Sequence, residues 1–187
     1  MKKNKYRGFT IIELIVVIGI IGITIPAIFG IFFTMLQARA KTYVLQEVKR
    51  NGDNAVNIME TLIKQRAVGI YSDQTLITEI CSTASSQSQL NDQLYFKDKD
   101  GAVFYFIYDG ASPSKIASRT ASATDIYNLT NQKVSVESSF SMQCFRKNTF
   151  SPPIVRIDFD VVSYSPTSTR QEENAKIHYT TQVKLRN

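Results

Sequence analysis

One carboxylate stands at the head of a long apolar run: Glu13, followed from Leu14 to Phe33 by twenty residues without a charge. An unpaired carboxylate in hydrocarbon costs several kcal/mol, so the chemistry open to Glu13 is to hold a cation. An ionisable group in such a segment marks function by default. The other candidates lie far downstream. Cys81 and Cys144 could form a disulfide or remain two buried thiols, since Cys144 shares strand parity with Phe140 and Met142. One histidine and two cysteines make no tetrahedral zinc set. His178 falls on the polar face of a strand, which leaves no serine triad, and no glycine-rich phosphate cradle occurs. Asp98-Lys99-Asp100-Gly101 invites a calcium reading, but an EF-hand-like loop would need oxygen ligands where Phe96 and Ile107 stand. A solvated turn fits it better. Asn128-Leu129-Thr130 spells a glycosylation triplet too short to carry weight. The residues thus offer no catalytic set, no cofactor and no metal site.

The elements that must position Glu13 follow from charge and hydropathy. Residues 1–8 carry four cations, residues 9–36 only Glu13, residues 37–70 six basic and three acidic groups, and residues 71–187 twelve of each. The net charge of +6 is therefore concentrated around the apolar run rather than spread as a nucleic-acid footprint. Twenty helical residues span about 30 Å, the thickness of the hydrocarbon core. The preceding cations place the amino terminus in the cytoplasm and the rest of the chain across the membrane, where disulfides are permitted. A secretory signal would have a shorter apolar region followed by a small-residue cleavage site. Neither holds here.

The junction Gly8-Phe9-Thr10-Ile11-Ile12-Glu13-Leu14-Ile15 resembles the class III signal of type IV prepilins and type II secretion pseudopilins. The resemblance implies a prepilin peptidase that cuts after Gly8 on the cytoplasmic side and methylates the new amino terminus at Phe9. Glu13 would then pair with the Phe9 amine of a neighbouring subunit and set the register of helix against helix. The simpler alternative is a signal anchor with one snorkelling glutamate. Pro26 cannot donate to the carbonyl of Gly22, so a kink or local melting is expected there. Family members carry a helix-breaking proline about one turn later, where this chain has Gly30. Gly19, Gly22 and Gly30 leave small surfaces for helix contacts.

Four segments follow: a cytoplasmic leader at 1–8, a membrane or filament-core helix at 9–36, an amphipathic stalk at 37–70 and a β-rich head at 71–187. Tyr43, Val44, Val48, Ala55, Val56, Met59, Leu62 and Ile63 recur at helical spacing, with Gly52-Asp53 a weak point and Val68-Gly69 the expected stop. Leu76, Ile77 and Ile80 suggest a short helical turn ending near Cys81, and 82–91 a Ser/Gln-rich loop. Residues 94–96 and 103–108 read as a hairpin, and 134–142, 155–161 and 177–185 as further strands around a polar loop at 165–174. The fold class is α+β, with an antiparallel sheet laid on the second half of the long helix.

The reading that results is a structural subunit, a minor pilin or pseudopilin, nearest by resemblance to the J-type minor pseudopilins. Its implied partners are prepilin peptidase, other pilin or pseudopilin subunits, an ATP-driven inner-membrane assembly platform and the lipid bilayer. The rivals are a monomeric membrane-tethered binding module and a DNA-capturing minor pilin of a competence system. Nucleic acid is disfavoured by the neutral head, although Lys97, Lys99, Arg146 and Lys147 could cluster.

Overall fold

A computed structural model of the 187-residue chain describes residues 8–82, 85–91, 93–121, 126–137, 139–165 and 174–186, the segment 85–91 by its backbone. Residues 1–7 of the leader expected at 1–8, and most of the loop expected at 165–174, lie outside the described residues. In chain order the elements are α1 (Ile11–Arg66), β1 (Ala67–Tyr71), β2 (Ser85–Asn91), β3 (Tyr95–Asp98), β4 (Val103–Asp109), β5 (Lys115–Thr120), β6 (Ile126–Asn128), β7 (Val134–Val136), β8 (Ser141–Arg146), β9 (Ile154–Ser163) and β10 (Lys176–Lys184). The chain divides into two compact units between Ala40 and Lys41.

The first unit is the apolar part of α1. All its large apolar side chains, from Phe9 to Leu36, are exposed, and the helix is long and apolar enough to cross a membrane. Its two hydroxyls are turned back onto the backbone: Thr24 Oγ1 donates to Ile21 O at 3.4 Å and Thr34 Oγ1 to Ile31 O at 2.8 Å. That is the internal satisfaction polar groups require in lipid. Helical geometry continues through Pro26, so the expected loosening at Gly22 and Pro26 does not break the helix. One missing hydrogen bond is a small loss in a long cooperative element.

In the second unit, α1 buries Val48, Asn51, Gly52, Ala55, Met59 and Ile63, a stripe at helical spacing that forms one wall of the core. Tyr43 lies outside that stripe and is exposed. The helix ends at Arg66, earlier than Val68-Gly69, because Ala67, Gly69, Ile70 and Tyr71 pair with β3 as strand β1. Gly69 is no terminator; it sits where the β1–β3 register shifts, between Ala67 and Gly69.

The head contains two five-stranded sheets rather than one. The first runs β1-β3-β4-β5-β6, and the second β10-β9-β8-β2 with β7 also paired to β9. β3 and β4 form the expected hairpin, with Gly101 at φ 82° in its turn. β4 is buried at Val103, Phe104, Tyr105 and Phe106, and Phe96, Phe104 and Phe106 pack ring to ring within about 6 Å. β9 alternates as expected, with Val155, Ile157, Phe159 and Val161 fully buried. Its partner β10 is in continuous antiparallel register, from Lys176 opposite Val162 to Lys184 opposite Ile154. The Ser/Gln-rich segment expected as a loop forms β2, an edge strand against β8. β5 and β6 carried no clear periodic signal.

Gly52, expected as a weak point, lies within the unbroken helix and seats a ring. A Cβ there would fall 2.2 Å from Tyr179 Cε2. The ring cannot retreat freely, because it stacks on Phe159 at 5.3 Å and its hydroxyl donates to Lys49 O at 3.0 Å. Burial, with the Asp53 carboxylate beside it, raises that phenol to about 12. Gly52→Ala should therefore destabilise the head by about 1–3 kcal/mol, against the gain of about 1 kcal/mol in helix propensity that alanine brings. Denaturant titration monitored by tyrosine fluorescence would show it; an unchanged or higher midpoint would mean the ring moves at no cost.

The short helical turn expected before Cys81 is absent. Leu76 (φ 59°) and Cys81 (φ 57°) adopt left-handed conformations, which a right-handed turn cannot include. Asp73 organises this loop. Its carboxylate accepts from Thr75 Oγ1, from Ile77 N at 3.2 Å and from Thr78 N at 3.1 Å. These bonds, the Thr75 hydroxyl first, hold its pKa down to about 2. A carboxyl whose folded pKa lies below its unfolded value contributes order above the unfolded value, near 4, and loses it as pH falls through about 2. Amide NMR shifts of Ile77 and Thr78 should accordingly move with a midpoint near pH 2. Asp73→Asn should abolish the transition; a midpoint at 4 would show that the bonds do not hold.

Candidate functional site

The candidate site is the start of α1. Thr10 is the residue before the first helical turn, where a backbone N–H has no intrahelical partner. Its N–H donates to Glu13 Oε2 at 3.1 Å and its Oγ1 donates to the same oxygen at 3.0 Å, while Glu13 N donates back to Thr10 Oγ1 at 3.4 Å. This is a reciprocal capping box. The spacing Thr-x-x-Glu carries that signature, which the sequence reading passed over in favour of the carboxylate alone. Both bonds to the carboxylate fall on Oε2, so the box does not use Oε1.

Gly8 adds a different kind of information. A Cβ built there meets nothing within 4 Å, and the residue has no positive φ. Nothing in the chain's own fold asks for glycine at this position. The same is true of Gly19, Gly22 and Gly30, which face open space.

The head groups singled out in the sequence have structural partners. Cys81 and Cys144 are joined by a disulfide, with Cα atoms 6.3 Å apart. Cys144 lies in β8 of the second sheet and Cys81 in the connection from β1 to β2, so the bond ties that connection to the second sheet. Arg146 holds the same region. Its guanidinium donates to Ser82 O at 2.7 Å, Cys81 O at 3.4 Å, Thr149 O at 2.9 Å and Ser151 O at 2.6 Å. A guanidinium so occupied with carbonyls is a poor phosphate contact, which weakens the DNA-capture reading.

His178 is exposed and does not stand alone. Its Nδ1 lies 2.7 Å from Asp160 Oδ1, and Lys176 bridges Asp160 at 3.1 Å and Glu137 at 2.6 Å. This is a surface ion cluster across β9 and β10. Asp98 closes the β3–β4 turn, accepting at its carbonyl from Gly101 N at 3.0 Å. Among the described residues no group of three His, Cys, Asp or Glu is placed to hold a metal. In the glycosylation triplet, Thr130 is buried and its Oγ1 accepts from Ile116 N at 3.3 Å. A hydroxyl so held belongs to the fold.

Glu47, Asn51 and Asn131 form a polar joint that the sequence did not announce. Asn51 Nδ2 donates to Glu47 O at 2.9 Å, Asn131 N donates to Asn51 Oδ1 at 3.1 Å, and Asn131 Nδ2 donates to Glu47 Oε1 at 2.9 Å. The bond from Asn131 lowers the Glu47 pKa and keeps it a carboxylate.

The prokaryotic N-terminal methylation motif matches residues 3–25, and so contains Gly8, Thr10 and Glu13. No curated protein and no solved structure matches the chain. The motif thus heads a membrane-length apolar helix, with antiparallel sheets packed on the helix beyond it, an arrangement that supports a type IV pilin-like prepilin.

Proposed function

We propose that this chain is a minor pilin or pseudopilin, a structural subunit of a type IV pilus or a type II secretion pseudopilus. It is held in the cytoplasmic membrane with residues 1–8 inside and the head outside. Prepilin peptidase cuts between Gly8 and Phe9 and methylates the Phe9 amine, and an inner-membrane platform then draws the helix at 9–36 into a filament with other subunits. The stalk at 37–70, helical as far as Arg66, supports the head formed by 71–187.

The observation that carries this reading is the methylation motif at the start of a helix whose large apolar side chains are all exposed. Such a surface needs lipid or other helices around it. The open glycines at 8, 19, 22 and 30 support a peptidase contact at the first and helix contacts at the others. The capping box leaves Glu13 Oε1 for a cation, and cleavage creates one at Phe9.

The test is to express the full chain with its cognate peptidase and platform, read the mature amino terminus by mass spectrometry, and follow the chain into sheared filaments. An N-methylated Phe9 terminus in the filament fraction is the expected result. Persistence of Met1 or Lys2 with nothing in filaments would reduce the segment to an anchor, and the head to a tethered binding module.

A further inference from the structure

The second sheet ends at β10, and among the described residues no strand pairs with its other side. Two bonds at the ends of the β9–β10 ladder fix which backbone groups face that side. Ser163 N donates to Ala175 O at 2.8 Å and Leu185 N to Pro153 O at 3.0 Å, so in this register the odd-numbered residues are the ones bonded to β9. Lys176, His178, Thr180, Gln182 and Lys184 therefore each turn an N–H and a C=O outward. The strand is 9 residues long and its register is unbroken. It carries neither proline nor bulge, two of the devices that blunt an exposed edge. The device it does carry is charge, with lysine at each end, and an edge guarded in this way against apolar strands remains open to a strand of opposite charge.

The two ends differ. Lys176 is held by Glu137 at 2.6 Å and by Asp160 at 3.1 Å, and His178 by Asp160 at 2.7 Å. Lys184 and Arg186 flank buried Leu185 and are both exposed, and neither has an ion-pair partner among the described residues. Ile154 stands opposite Lys184, and the nearby Arg156 already holds Asp158 at 2.8 Å. Two cations with the spacing of alternate strand residues are thus left for an outside partner. A second copy of the chain is a poor occupant, because β10 paired antiparallel with itself about Thr180 would set Lys184 against Lys176.

We propose that the open side of β10 receives an extended segment of another protein as an added strand, one that places two carboxylates, two residues apart, against Lys184 and Arg186. Main-chain bonds would hold any extended segment, and the cations choose among them. This surface belongs to the head alone and does not depend on assembly into a filament.

Two synthetic octapeptides serve as probes, valine alternating with glutamate in one and with lysine in the other. Each is titrated into the full chain in detergent micelles while amide hydrogen exchange is followed. The glutamate peptide should slow exchange at His178, Thr180 and Gln182 at a concentration about tenfold below that needed by the lysine peptide. Thr180→Pro removes an outward N–H while sparing the bonds to β9, so it should abolish the protection and leave the thermal midpoint unchanged. Lys184→Glu with Arg186→Glu should reverse the preference between the peptides. Equal protection or none from the two peptides, protection that survives Thr180→Pro, or an unreversed preference overturns the proposal. So does a lowered midpoint in Thr180→Pro, or slow exchange at these amides without peptide, since either would show the edge already occupied by the chain or by a second copy. None of these outcomes bears on the filament reading.

Discussion

Glu13→Ala should lower the filament-associated fraction at least tenfold, and Glu13→Gln should be equally defective. The second variant is the informative one. Glutamine at this position of a capping box can still accept from the Thr10 N–H, so it keeps the helix start in the geometry seen at 3.1 Å. What it lacks is charge. If Glu13 acts by pairing with the methylated amine of a neighbouring Phe9, both variants lose a charge-assisted bond in a medium of low dielectric, where even about 1.4 kcal/mol per contact is tenfold in association. If it acts only as a cap, worth about 1 kcal/mol to the helix, glutamine should restore assembly. Comparing sheared fractions of the two variants at matched expression decides between these outcomes. Wild-type incorporation of Glu13→Gln would end the register mechanism and leave a helix cap in its place.

Loss of the disulfide should have the largest effect on stability. Cys81 and Cys144 close a loop of 63 residues in sequence separation, for which the chain-entropy relation gives about 4 kcal/mol and typical measured values run about 2–4. For a folded unit of this size, 1 kcal/mol shifts the melting midpoint by about 2–4 °C. Cys81→Ser with Cys144→Ala should thus melt about 10 °C below wild type, and reduction of the native bond should do the same. The sulfur of Cys144 is fully buried, so alanine leaves a small void that adds to the loss. Arg146 will soften the effect, because its bonds to Cys81 O and Ser82 O hold the same segment without the sulfurs. A midpoint that does not move on reduction would place the staple in Arg146 rather than in the cystine.

The parts of this molecule that sequence made legible are those whose cause is local. The methylation motif at residues 3–25 is one short linear stretch whose composition is unlike the rest of the chain. The inward set of β9, Val155 to Val161, shows its two-residue period without any partner being known, and so does β10. Pairing is another matter. Nothing in the residues of β2 says that they will lie against β8, and an edge strand needs no apolar alternation to hold its place. β1 was hidden behind Gly69, read as a helix stop when it is the irregular step in a strand. Gly52 was read as weakness in a helix when its missing side chain makes room for Tyr179. In both glycines the deciding neighbour lies in another element, so the error comes from tertiary contact. The two cysteines left open both states for the same reason, since their spacing does not encode their distance. Thr10 is different: its role was present in the four residues from Thr10 to Glu13, whose Thr-x-x-Glu spacing encodes the cap locally.

The pairing of β2 with β8 has a consequence for the order in which the head is made. β2 is finished on the order of fifty residues before β8, the strand it pairs with, which at roughly 5–20 residues per second is several seconds of synthesis. A strand of valine and isoleucine left waiting that long would offer a sticky edge to any nascent chain nearby. Ser-Ser-Gln-Ser-Gln-Leu-Asn does not. Its polar composition lets the segment remain hydrated until Cys144 and its strand arrive, and the same arrival brings the second sulfur to Cys81. Strand pairing and cystine therefore both wait for β8, and a translation product interrupted before residue 144 would carry an unpaired Cys81 thiol and an unclosed sheet.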